Sequence, residues 1–354
     1  MPTSTGCDRT EDLAEAVREA AEARRPLAIK GLGSKAFYGR QVTGADLDLS
    51  EHAGIIGYEP SELVITARGG TPLAEIEAQL AENNQMLAFE PPDFGRGGSL
   101  GGMVAAGLAG PRRPFAGAVR DFVLGARVLD GRGQALRFGG TVFKNVAGFD
   151  AFRLMAGALG CLGVLLEVSL RVSPRPEHEA SLAFEDDWTA ARARLDELWG
   201  TPTPLSGAIH DGERLHLRLS GAETAVRRTA SRLGGEASPS GFWEDVRHMR
   251  LPVFRAPRLW RLSLPRTAEL AALPGDQVID WAGSQRWLAT TAPAEAVRDA
   301  ARSVGGHANL FRGAEPGEEV FEPLPAPLFA LHRRVKRALD PAGVFNPGRM
   351  YEGL

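Results

Sequence analysis

Apolar positions along the chain mark a series of short elements. Leu13, Val17, Ala20 and Ala21 recur on one face of a helix expected to begin at a capping Thr10. Residues 26–30 and 45–49 read as short strands, and 62–67 as a third, ending in Gly69-Gly70. Thr71 is expected to cap a helix with Pro72 at its first position, where proline is best tolerated. Leu73, Ile76 and Leu80 form its apolar stripe. Residues 123–130 and 134–138 read as a hairpin around Gly131-Arg132-Gly133, 153–159 as a short helix, and 165–172 as an alternating strand. Pro174-Arg175-Pro176 marks a break. Beyond it, helices over 188–199, 222–233, 243–249 and 294–303 mix with strands over 206–210, 214–219, 258–264, 277–281 and 286–290. The Pro-rich 321–328 reads as irregular, and a last helix spans 331–339. Helices segregated on an antiparallel sheet are the natural packing of this pattern, so the predicted class is α+β.

The pattern is interrupted between Pro91 and Gly110, where seven of twenty residues are Gly. Gly97 to Gly102 is too rich in Gly for an ordinary helix or strand, since each Gly costs roughly 1 kcal/mol in a helix interior. Backbone N–H groups along such a run can bind phosphate oxygens. Leu100, Met103, Val104 and Leu108 set it apart from a polar linker. It is therefore expected to form a wall against a large anionic cofactor. A second loop, Gly31-Leu32-Gly33-Ser34-Lys35-Ala36, follows the first strand. By letter it is the G-x-G-x-x-A dinucleotide fingerprint, but no helix pattern follows it, so a Rossmann unit and a pyridine-nucleotide dehydrogenase are set aside.

Net charge is −3, which gives no basic footprint for nucleic acid. Two cysteines, Cys7 and Cys161, make neither a disulfide framework nor an iron–sulfur ligand set and suit a reducing cytoplasm. No stretch approaches the roughly 18 apolar residues of a membrane span, and 1–9 lacks the apolar core of a signal peptide. His210 and His216 read as polar hairpin residues. Arg333, Arg334, Lys336 and Arg337 read as the solvated face of the last helix.

The two glycine loops, their spacing, and the closing run Asp340-Pro341-Ala342-Gly343-Val344-Phe345-Asn346-Pro347-Gly348-Arg349-Met350 carry a resemblance. Together with 34–37, 62–68, 107–114, 119–125 and 345–351, they resemble the FAD-linked oxidases of the vanillyl-alcohol oxidase and D-lactate dehydrogenase type over essentially the whole chain. The resemblance is sharpest to the flavin subunits of bacterial glycolate oxidases. It implies a PCMH-type FAD-binding domain over 1–173, in subdomains of about 1–57 and 58–173, a cap over 174–328, and a segment 329–354 returning to the flavin.

It also implies roles. Gly31, Leu32, Gly33, Ser34, Lys35 and Ala36 would be the first pyrophosphate loop. Pro92, Ser99, Leu100, Gly101, Gly102 and Met103 would line the flavin and its phosphates, and Gly107, Gly110 and Gly117 would shape the rest of that wall. Residues 144–150 would lie near the flavin, Gly160, Gly163 and Val164 near adenine and ribose, and Asn346 and Arg349 at the isoalloxazine. His307 is the candidate to face the flavin, although an ordinary loop histidine reads as well. Lys144, Arg349 and Arg112 are candidate cations for a carboxylate substrate.

Two departures from the family pattern matter. The first loop has no His, so FAD is expected to be non-covalent. The His-Gly-Glu-Gly stretch and the metal-binding histidine pair of relatives are absent, so no metal is expected. The implied activity is oxidation of glycolate and similar small 2-hydroxy acids to glyoxylate and other 2-oxo acids. The implied setting is a hetero-complex with a second FAD subunit and an iron–sulfur subunit, on the inner face of the cytoplasmic membrane. The alternative is a non-catalytic flavin-binding, assembly or electron-relay subunit.

Overall fold

A computed structural model describes residues 6–95, 97–140, 150–269 and 273–354. Two antiparallel sheets organise it. The first runs Ile55–Glu59, Val64–Arg68, Val164–Arg171, Val123–Leu129, Ala135–Gly139 in spatial order. Its inner face packs on helix Leu73–Ala81 and helix Leu100–Ala106 through Ile65, Ile76, Leu80, Met103, Val128 and Val168. The second has eight strands, in the order Glu236–Ala237, His178–Phe184, Leu215–Gly221, Leu205–His210, Asp276–Asp280, Gln285–Ala289, Leu259–Ser263, His307–Arg312. Helices Trp188–Leu198 and Glu223–Leu233 pack near one end of it through Leu195 and Val226, and Ala294–Ser303 near the other through Val297 and Ala301.

A third core is built from both ends of the chain. Helix Thr10–Glu22 covers a parallel pair, Leu27–Lys30 with Ala45–Asp48. Val344 and Phe345 pack into the same core as Leu13, Val17 and Leu27. The Leu27 N–H donates to the Val344 carbonyl at 2.8 Å, and the Asn346 N–H to the Leu27 carbonyl at 3.0 Å. Buried Asp340 accepts from the N–H groups of Val344 and Phe345 and pairs with Lys336 Nζ at 2.8 Å.

Several local expectations change. The glycine run is not all loop: Leu100–Ala106 is helical, with Ser99 Oγ accepting the Gly102 N–H at 3.3 Å and Gly107 closing it at φ +63°. Leu100, Met103 and Val104 are fully buried, and each such burial, worth roughly 1.5–3 kcal/mol, offsets the glycine penalty. Gly101 is required by contact, because a Cβ there would stand 3.0 Å from the Gly69 carbonyl oxygen. Thr71 does not cap its helix; its hydroxyl bonds both backbone groups of Gly54, and Pro72 takes the cap position. Asp8, not Thr10, supplies a carboxylate to the first turn, accepting the Thr10 N–H. The strands Ile55–Glu59, His178–Phe184 and His307–Arg312 and the helical start at Ala326 carried no pattern that revealed them.

Candidate active site

A groove runs between the glycine loops and the C-terminal segment. Its space is lined by Gly31, Gly33, Ser34, Lys35, Ala36, Ser99, Gly101, Gly102, Gly160, Gly163, Asn346 and Arg349. The groove owes its shape to missing side chains. A Cβ on Gly31 would stand 2.3 Å from Ser99 Oγ, and one on Gly160 2.6 Å from Asn346 Nδ2. Gly33 adopts φ +74° in the turn closed by the Ala36 N–H on its carbonyl, a conformation glycine reaches without strain.

Two cations face this groove without a carboxylate partner among the described residues. Burial lowers the Lys35 ammonium to about 8, against the pull of Asp93, and its Nζ finds only Ser34 Oγ at 3.1 Å. Arg349 is anchored by Nη2 on the carbonyls of Ala36 and Tyr38 at 3.2 and 2.7 Å, while its buried Nε has no partner. Unpaired buried cations are costly, so this wall suits an anionic ligand. A dinucleotide's pyrophosphate has that charge, and the groove has the size for its body.

Other candidates sit elsewhere. Leu100, Met103 and Val164 are buried in the core behind the wall, and Leu32 is 40% exposed. Gly107 and Gly117 line neither the groove nor the cavity beside it; Gly107 needs its positive φ to end a helix. Arg112 is committed to Glu90 and Glu179, tying the glycine-rich segment to the cap. Lys144, with 141–149, lies outside the described residues. His307 heads the edge strand of the cap, exposed, and lines neither space. His210 and His216 are not surface hairpin residues: both are buried, the first on the Asp186 carbonyl, the second stacked on Phe242 and paired with Asp211. Lys336 is not solvated but buried, donating to the carbonyls of Cys161 and Phe345. Among the described residues no group of three or more His, Cys, Asp or Glu could hold a metal ion, and no helix is long and apolar enough to cross a membrane.

Beside the groove, a narrow cleft with about 20 Å³ of free space separates the cap sheet from Pro92, Leu108 and Gly110. Phe254, Trp287 and Phe311 make it apolar; Arg261, Gln285 and Asp280 give it polarity. Arg261 has no salt bridge among the described residues; its Nε donates to Gln285 Oε1 at 2.6 Å, and its charge faces buried Tyr38. Phe254, Arg261, Asp280, Gln285, Trp287 and Phe311 come from four strands and one short turn, and nothing in their sequence spacing unites them.

Comparison with known proteins bears on the family. A model of the FAD binding domain matches residues 6–139, and one of the C-terminal domain of FAD linked oxidases matches 318–350. Glycolate oxidase subunit GlcE of Escherichia coli (strain K12) is 50% identical over 349 residues, 98% of this chain and 99% of that one. D-lactate dehydrogenase of Anaerostipes hadrus is 31% identical over 49% of this chain and 36% of its own. Glycolate oxidase subunit GlcD of Bacillus subtilis (strain 168) is 28% identical over 56% of this chain and 43% of its own. Among solved structures, alkyldihydroxyacetonephosphate synthase shares the fold, with TM-score 0.66 at 13% identity over 95% of this chain and 75% of that one. With a match to the FAD binding domain and a full-length relative at this identity, the chain belongs to the family of FAD-linked oxidoreductases.

Proposed function

We propose that this chain is the FAD-binding subunit of a complex that oxidises glycolate and similar small 2-hydroxy acids to 2-oxo acids. The carrying observation is Arg261, a half-buried guanidinium without a carboxylate partner, in a small apolar cavity beside the dinucleotide groove. A small hydroxy acid offers the carboxylate that Arg261 lacks, and Phe254, Trp287 and Phe311 wall the narrow space beside it. The backbone of 31–36, Ser99 and Gly102 would hold the pyrophosphate, with Lys35 and Arg349 balancing its charge. Bound FAD supplies the acceptor for the hydride leaving substrate C2. The protein's own work is to orient the acid through a charge-assisted contact at Arg261 and to keep water away with the aromatic walls.

The full-length similarity to a protein named as an oxidase subunit supports a multi-subunit complex; a second FAD subunit, an iron–sulfur subunit and attachment through them to the cytoplasmic membrane are part of the proposal. Electrons must leave the flavin, and the two cysteines of the chain supply no cluster ligand set. The test is anaerobic addition of glycolate to the purified FAD-loaded chain, alone and with its partners. Bleaching of the isolated chain, with full turnover only in the complex, is expected. No bleaching of the isolated chain assigns oxidation to the partner and leaves this chain the relay or assembly role. Full turnover by the single chain with an artificial acceptor overturns the need for a complex.

A further inference from the structure

The register of the cap sheet sets Asp280, Gln285, Ser263 and His307 in one cross-strand row and Val278, Trp287, Arg261 and Asn309 in the next but one. Residues two apart on a strand share a face, so Asp280, Gln285 and Arg261 all face the cavity. They form a chain of contacts. Asp280 Oδ1 accepts the Trp281 N–H at 2.7 Å, its Oδ2 accepts from Gln285 Nε2 at 3.4 Å, and Gln285 Oε1 accepts from Arg261 Nε at 2.6 Å. Asp280 is 4% exposed and forms no salt bridge among the described residues. An ionised carboxylate so placed would be costly.

We propose that Asp280 is a positioning residue that, through Gln285, aims Arg261 at the carboxylate of the 2-hydroxy acid. The proposal rests on the reading of Arg261 given above. Burial raises the Asp280 carboxyl to about 7, Glu90 adds to the rise, and the Trp281 N–H, Arg261 and Gln285 oppose it. The other charges nearby are spoken for. Glu90 is paired with Arg112 and Arg218, Arg247 with Glu77, and Arg113 lies over the Trp281 ring at 4.3 Å. With Asp280 protonated, Arg261 is therefore a cation lining the cavity with no salt bridge among the described residues. Once Asp280 ionises, its charge cancels that of Arg261 and repels an incoming anion. Affinity for a small monoanionic acid is accordingly strongest below pH 7 and falls above it.

The test uses the FAD-loaded full chain and oxamate, a small carboxylate with no hydride to give. Binding is read as quenching of Trp281 and Trp287 fluorescence and as perturbation of flavin absorbance. The wild-type dissociation constant is expected to rise above pH 7 by up to about tenfold per pH unit. Asp280→Asn keeps the neutral shape, so it should bind as the wild type does at pH 6 and lose the rise. Gln285→Leu breaks the link while leaving the Asp280 carboxyl and its Trp281 N–H contact in place, and should weaken binding at pH 6 by about tenfold. An Asp280→Asn variant that follows the wild-type pH curve, or a Gln285→Leu variant that binds normally, overturns the proposal. Arg261→Met separates the two readings: it should lose oxamate at every pH, and normal binding by it would overturn the carboxylate role of Arg261 itself.

Discussion

Asn346 and Gly160 meet so closely that a Cβ on Gly160 would stand 2.6 Å from the Asn346 side-chain nitrogen. That nitrogen donates to the Leu159 carbonyl at 2.7 Å, and the amide oxygen accepts the Ile29 N–H at 2.8 Å. One side chain thus joins the first strand, the loop before strand Val164–Arg171 and the C-terminus around the groove.

Asn346→Leu leaves the Ile29 N–H and the Leu159 carbonyl without partners. Each unmet buried group costs about 1–3 kcal/mol. The expected outcome is a lower melting temperature and a weaker grip on FAD, seen in thermal melts with and without the cofactor. Unchanged melting and full FAD occupancy would remove Asn346 from the wall.

Gly31→Val and Gly102→Val are expected to abolish FAD binding while leaving the cap folded. At Gly31 the new Cβ meets Ser99 Oγ at 2.3 Å; at Gly102 the contact is 3.0 Å, and the branched methyls enter the groove. Flavin content after purification, set against far-ultraviolet circular dichroism, checks both. Full occupancy in either variant would contradict the placement of the groove.

Lys35 gives a pH dependence with a definite sign. Its ammonium loses its proton near pH 8 in the apoprotein, because burial disfavours the charge. FAD affinity should therefore fall as pH rises through 8, and Lys35→Met should lower affinity by about tenfold at pH 7 and flatten the profile. Folding stability of the apoprotein moves the other way. Between about 8 and the unfolded value of 10.5 the unfolded chain binds more protons, so this residue's contribution to stability rises with pH across that window. FAD titrations and denaturant melts at pH 7 and 9.5 test the two trends.

FAD is expected to leave the protein on acid precipitation. The first glycine loop offers Lys35 and Ser34 to the groove but no His or Cys. Cys161 is buried on the Asn346 carbonyl, its thiol pushed up to about 11 by burial, a poor nucleophile for a flavin link. Flavin fluorescence retained by the denatured chain would show a covalent bond.

Much of the site's cofactor side could be read from local sequence. Glycine runs such as 31–33 and 97–102 mark close approach because a missing Cβ is a property of the residue itself. The same reading mistook Leu100–Ala106 for loop: it weighed the glycine penalty without the burial of Leu100, Met103 and Val104, which only packing supplies. Lys336 and the two buried cap histidines were misjudged for the same reason, since polarity alone does not tell whether a carbonyl or a ring waits inside.

The sequence by itself determined the α+β class, the antiparallel cap and the two glycine loops, which depend on residue type and short-range periodicity, and, through the resemblance of whole segments, the family. Tertiary structure alone decided that Asn346 closes the groove against Gly160, that Lys35 and Arg349 have no carboxylate partner among the described residues, and that Arg261, Gln285 and Asp280 share one cavity. Those three residues lie on three different strands, brought side by side by register. A side chain's charge partners, and hence its protonation, depend on neighbours that a strand-by-strand pattern does not contain.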